Sequence, residues 1–182
     1  MKKALLLTVV FTLWATMVLG QAGIISIFAD VTGNNCNLVD TNNPNHFYLV
    51  HTITPGAMAI LFQASLPACY PGIWLSDLQP FAVTVGDSQA GVAVAYGSCL
   101  AAPIHVLTVV AFGGGTPACC VYPITPHPDS ASGTIEVTDC SFEDHAGVPS
   151  YNGIINSNAT CVCGDHPVEE TTWGRVKSLY GD

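Results

Sequence analysis

The chain has 182 residues, 49% of them hydrophobic and only 9% charged, with a net charge of −9 at pH 7. Its basic residues are Lys2, Lys3, Arg175 and Lys177. They form no patch able to displace counterions from phosphates, so nucleic acids and anionic lipid surfaces are excluded as partners. With so little charge, the surface must be built from Thr, Ser, Asn, Gln and Gly. That composition suits an extracellular β-protein better than a cytosolic helical one.

Residues 1–20 read as a secretory signal peptide. Lys2 and Lys3 precede an apolar run from Ala4 to Leu19, and Val18-Leu19-Gly20 offers a cleavage site. Gly20-Gln21-Ala22 is an adjacent alternative, which would put cleavage after residue 22. The run is short for a bilayer span and no basic stop-transfer cluster follows it, so no stable membrane span is expected after cleavage. Export to an extracellular or periplasmic space is expected, and the paired lysines suit a bacterial signal. Once the signal is removed, Arg175 and Lys177 are the only basic residues left.

The remaining chain, about 160 residues, suits a single domain with a sizeable core. Gly23 to Asp30 is apolar and β-branched, and an Asn- and Asp-rich loop runs from there to Asn45. His46 to Ile53 and Met58 to Phe62 read as strands, although Ala57 to Gln63 also has helix-forming composition. Ala68 to Pro80 carries turn residues around Trp74. Phe81 to Val85 alternates with period two, Gly86-Asp87-Ser88 turns, and Val92 to Tyr96 resumes the strand pattern. Ile104 to Phe112 is the most apolar run and reads as a central strand. Cys120 to Ile124 and Thr134 to Val137 complete the set. About eight short strands with no βα alternation predict an all-β fold, a single antiparallel β-sandwich spanning 23–164.

The tail, 165–182, differs. Thr171 or Thr172 can cap a short helix, with Glu169 and Glu170 at its positive end and Arg175 and Lys177 beyond. Trp173, Val176, Leu179 and Tyr180 fall at spacings of three and four, the signature of one apolar helical face. Such a helix either docks on the domain or serves as a recognition tail.

Eight cysteines follow the signal: Cys36, Cys69, Cys99, Cys119, Cys120, Cys140, Cys161 and Cys163. An even number in an exported chain reads as a disulfide framework, with 105 possible pairings. Neighbouring strand residues point to opposite faces, so Cys119 and Cys120 should take different partners. The expected pairs are Cys36 with Cys69, and Cys99 with Cys119 or Cys120. Cys161-Val162-Cys163 beside His166 hints at zinc, but an adjacent pair and a C-x-C pair close a tetrahedron poorly, so no metal is expected.

Other motifs hint at chemistry. Gly86-Asp87-Ser88 resembles the nucleophile block of the secreted Gly-Asp-Ser esterases and lipases, with Ser88 as nucleophile. In that family the block opens a helix near the mature N-terminus and a downstream Asp-x-x-His pair supplies acid and base. Here the block is central, a strand follows it, and Asp-x-x-His does not occur. The favoured reading is a turn, and a serine hydrolase stands as the alternative. Asp139, Glu143, Asp144 and His145 form an acidic cluster with calcium-binding or paired-carboxylate chemistry in principle. They lack an ordered ligand spacing, so a solvated loop is expected. His51 and His105 lie within strands and read as structural.

Larger resemblances complete the reading. The exported chain resembles an uncharacterised family of small secreted bacterial cysteine-containing β-proteins. The likeness rests on Pro117-Ala118-Cys119-Cys120, on Asp139-Cys140, and above all on the tail Thr-Thr-Trp-Gly-Arg-Val-Lys-Ser-Leu-Tyr at 171–180. It implies export and a β fold and carries no activity. The strand pattern of 23–140 is similar to cohesin-like and immunoglobulin-like sandwiches, a likeness of fold and not of function. The expected role is that of a non-catalytic extracellular or envelope module, binding or structural, needing no cofactor and meeting an extracellular protein or glycan. Tyr70 and Trp74, placed in loops by the pattern, are the candidate aromatic contacts, whereas Tyr48 and Tyr96 are expected in the core.

Overall fold

A computed structural model describes residues 23–41, 43–148 and 150–161. The stretch read as a signal peptide, Cys163 and the whole tail from 165 lie outside the described residues, and with them the expected C-terminal helix.

Thirteen strands and no helix form among the described residues. In chain order they begin with β1 (Ile24–Phe28), β2 (Asn37–Leu38), β3 (Pro44–Thr52) and β4 (Ala57–Phe62). Next come β5 (Ile73–Leu78), β6 (Val83–Asp87), β7 (Gly91–Leu100) and β8 (Ile104–Phe112). The chain continues through β9 (Cys120–Tyr122), β10 (Glu136–Asp139), β11 (Asp144–Ala146), β12 (Ser150–Tyr151) and β13 (Gly153–Ile155). One five-stranded sheet runs β12-β1-β3-β8-β5 and a second runs β11-β10-β4-β7-β6. A third, of three strands, runs β2-β13-β9. Pairing is antiparallel except where β12 meets β1 and β2 meets β13.

The segments read as strands all become strands: β1, β3, β4 and β7 to β10 overlap the expected stretches, and β6 lies two residues later than its expected 81–85. The helix-compatible stretch around Met58 is β4, because pairing with β7 and β10 satisfies its backbone on both sides. The count of about eight strands is too low, for two reasons. Strands β2, β11, β12 and β13 are two or three residues long, too short for alternation to register. The stretch expected as turns around Trp74 is instead β5, an edge strand exposed or half-buried throughout, so no buried face marks it in sequence.

Inward side chains from all three sheets belong to one hydrophobic cluster. The first sheet supplies Ile25, Ile27, Phe47, Leu49, Leu107 and Val109; the second supplies Ile60, Phe62, Val92, Val94 and Val137. Tyr122, Ile155 and Leu38 come from the third. Phe47 meets Tyr122 and Tyr70 edge to face at ring separations of 5.4 and 5.8 Å, the geometry the aromatic quadrupole favours. The Tyr122 hydroxyl stays satisfied by donating to the Ala64 carbonyl at 2.9 Å.

Disulfides join Cys69 to Cys120, Cys99 to Cys140 and Cys119 to Cys161. The adjacent Cys119 and Cys120 do take different partners. The expected Cys36–Cys69 and Cys99–Cys119/Cys120 pairs are overturned. Cys36 is disulfide-bonded, but not to Cys69, which Cys120 holds. The reason for the Cys99 pairing lies in the second sheet. Strands β7 and β10 flank β4, and Leu100 and Asp139 both pair with Ala57. The Cys99–Cys140 bond therefore passes over Gly56, at the start of β4. A side chain on Gly56 would fall against the Cys140 sulfur and lie 3.0 Å from that of Cys99.

Gly56→Ala should therefore destabilise the oxidised protein by about 1–3 kcal/mol, the usual cost of overpacking. Thermal unfolding in a double-mutant cycle with Cys99→Ala/Cys140→Ala checks this: without the sulfurs, the penalty should largely vanish.

Candidate functional site

The Gly-Asp-Ser block ends β6 and opens the β6–β7 hairpin turn, and the Asp87 carboxylate holds that turn. Asp87 Oδ1 accepts from the backbone N–H of Gln89 and of Ala90, both at 2.8 Å, as turn-forming aspartates do. Ser88 is fully buried. Its N–H donates to Asp77 Oδ2 at 2.6 Å and its hydroxyl to Asp77 Oδ1 at 2.8 Å. Gln89 Nε2 donates to the Ser88 hydroxyl at 2.8 Å. A serine nucleophile needs a base on its hydroxyl and an open path to substrate. Ser88 has a carboxylate from β5, a neighbouring amide and no access. Asp77 also accepts from Trp74 Nε1 at 3.0 Å. It thus bolts the edge strand β5 of the first sheet to the β6–β7 turn of the second. Sequence reasoning missed Asp77, since nothing local links it to a residue eleven positions on.

The acidic cluster does converge. Ligand atoms of Asp139, Glu143 and His145 lie within 4.8 Å of one another. Their bonds, however, describe a turn between β10 and β11. Asp139 Oδ1 accepts from the N–H of Ser141 at 2.7 Å and of Glu143 at 3.0 Å. Asp139 Oδ2 lies 2.8 Å from His145 Nε2. Asp144 stands apart, accepting from Thr138 Oγ1 at 2.6 Å. The Asn-rich loop is arranged similarly: the Asp30 carboxylate takes the backbone N–H groups of Thr32, Asn34 and Asn35. Both carboxylates are spent on holding their own loops.

The two candidate aromatic contacts separate. Tyr70 is buried against Phe47 and takes part in a polar network, so it is not available as an exposed contact. Asn45 Nδ2 donates to its hydroxyl at 2.9 Å and to Asp40 Oδ1 at 2.7 Å. Burial, chiefly, raises the Tyr70 hydroxyl above its ordinary range. Trp74 is 37% exposed and lies on β5 beside exposed Ile73, Leu75 and Leu78. Of the other pair, Tyr96 is buried and 3.3 Å from His51 Nδ1, while Tyr48 is half-buried with its ring 5.7 Å from that of His105. His51 is fully buried, and His105 sits on β8 with Nε2 2.8 Å from Thr108 Oγ1.

A feature without a sequence signal is the outer face of the second sheet. The register aligns Leu61, Ala93 and Val85 in one row across β4, β7 and β6, and Ala59, Ala95 and Val83 in the next. The alanines leave a shallow groove of about 260 Å³ between the larger side chains. Val83 and Val85 are 59% and 68% exposed. On the other flank the same rows end in Glu136, Thr138 and Asp144, so the groove is apolar with an acidic rim. Its residues alternate with core residues, so in sequence they look like parts of ordinary half-buried strands.

No protein-family model matches this chain, and no curated protein matches it. Function therefore has to be argued from the residues themselves.

Expected outcomes follow for the serine and for the acidic turn. Ser88→Ala should cost about 1–3 kcal/mol in chemical denaturation, because it strips a buried partner from Asp77 and Gln89. Asp139 is held below the ordinary carboxylate range, first by its bond to His145 and then by the N–H groups of Glu143 and Ser141. Glu136 is held low by the hydroxyls of Ser132 and Ser130. Depressed folded-state values mean stability that is present above the unfolded-state range and lost as pH falls through the folded one. The melting temperature should thus fall below about pH 4, and Asp139→Asn should flatten that slope.

Proposed function

We propose that this protein is an exported, disulfide-locked β-sandwich module that works by binding or as an envelope part, and not by catalysis. In this reading the two five-stranded sheets pack face to face, and the three-stranded sheet closes one side. The single observation that carries the reading is the state of Ser88. The one block with hydrolase resemblance runs from the end of β6 into a hairpin turn, and its serine is buried with its hydroxyl spent on Asp77 and Gln89. The three disulfides among the described residues support an oxidising compartment, extracellular or periplasmic, since reducing compartments keep thiols free. Exposed apolar side chains gather along the β5 edge with Trp74, and Val83 and Val85 stand exposed beside the groove of the second sheet. Clusters of that kind mark interaction sites on soluble domains. An extracellular protein or a glycan is the partner class these surfaces suit.

A serine-reactive fluorophosphonate should label neither the protein nor its Ser88→Ala variant. Labelling of the protein that disappears in the variant would establish the hydrolase instead. For the ligand, Trp74 is the natural reporter: a glycan partner quenches its fluorescence in a sugar panel, and silence across the panel leaves a protein partner or a structural role.

A further inference from the structure

We infer that the groove on the outer face of the second sheet is the seat of the protein's own C-terminal segment, residues 173–180. The groove and the segment match in three respects. The floor and outer wall are apolar: Ala59, Ala93 and Ala95 flanked by Leu61, Val83 and Val85. Val83 and Val85 stand exposed on its wall, an apolar surface on which a second apolar face can seat. The segment offers Trp173, Val176, Leu179 and Tyr180 at spacings that put them on one side of a helix.

Charge is the second match. The rim of the groove carries Glu136 and Asp144. Glu136 accepts from Ser130 and Ser132 through Oε1, and Asp144 accepts from Thr138 through Oδ1. Each carboxylate thus has a second oxygen to offer a cation. Arg175 and Lys177, the only basic residues after Lys3, stand within the same eight-residue segment as the apolar set. The rival surface, the β5 edge, is apolar as well, but its carboxylate, Asp77, has both oxygens engaged by Ser88 and Trp74.

Reach is the third. Cys161, the last described residue, is tied to Cys119 with a Cα separation of 5.7 Å. Six residues after Cys119, Thr125 pairs with Gln63, two positions from Leu61 in the groove. Added along the backbone, that path is at most about 40 Å, and the chain from Cys161 to Trp173 extends about as far. The anchor therefore leaves the segment able to cover the groove of the same molecule. Seated there, it would cover the apolar groove of the second sheet, and a partner for that face would have to displace it.

Carbodiimide cross-linking of the oxidised full-length protein tests this, because Lys177 is the only lysine after Lys3. Peptide mapping should find Lys177 joined to Glu136 or Asp144 within monomers, with a yield that does not change on dilution. Ala95→Arg, on the groove floor, should reduce that yield by about tenfold or more, since it sets like charge against Arg175 and Lys177. Val85→Arg, at a largely exposed position of β6, tests the same repulsion should Ala95→Arg fail to fold. Three results would overturn the inference: no such link in the unaltered protein, links confined to the dimer fraction, or a yield indifferent to the folded variants. A link confined to dimers would assign the groove to the tail of a second copy.

Discussion

Covalent ties across the fold set what the remaining interactions can do. The bonds Cys69–Cys120, Cys99–Cys140 and Cys119–Cys161 join residues 51, 41 and 42 positions apart. In the chain-entropy picture, loops of that length each remove about 4 kcal/mol of freedom from the unfolded chain. With only 9% charged residues, the chain has few ion pairs to draw on. Its specificity rests on where the sulfurs meet. The Cys99–Cys140 bond is the clearest case, because it lies over Gly56 and couples both neighbours of β4. That coupling ties together strands whose outer faces form the groove.

Polar groups inside the fold act as fasteners. Asp77 holds Ser88 and Trp74, joining an edge strand to a hairpin of the other sheet. Asp40 takes Asn45 and Thr116, and Asn45 reaches Tyr70, so the long loop before β3 is tied to the core. Asp139 and Asp30 order the turns in which they sit. A buried polar group left without a partner costs more than a satisfied one contributes. No buried side-chain polar atom among the described residues lacks one.

Much of the fold is legible in the sequence because burial on one face writes a period of two. β7 and the first half of β3 announce themselves in this way, whereas β8 does so as an almost unbroken apolar run buried on both faces. β5 does not, since it lies at an edge with exposed or half-buried side chains, between Pro71-Gly72 and Pro80, and reads as turns. The sulfur pairing is illegible for a different reason. Cys99 and Cys140 come together only because β4, from a distant part of the chain, lies between β7 and β10. The candidate surfaces follow the same rule. Ser88 is marked by a local motif, but the partner that decides its role, Asp77, is known only from the way sheets are joined. The groove is visible only in the register, since Ala93 and Ala95 look no different from core alanines until Leu61 and Val85 are aligned with one of them.

The central claim is a scaffold whose shape is fixed by specific disulfides. Peptide mapping of the unreduced protein under thiol-blocking conditions tests it most directly. The account predicts peptides joining Cys69 to Cys120, Cys99 to Cys140 and Cys119 to Cys161, with no free thiol. Eight alkylated cysteines, or Cys99 found bonded to Cys119 or Cys120, would contradict it.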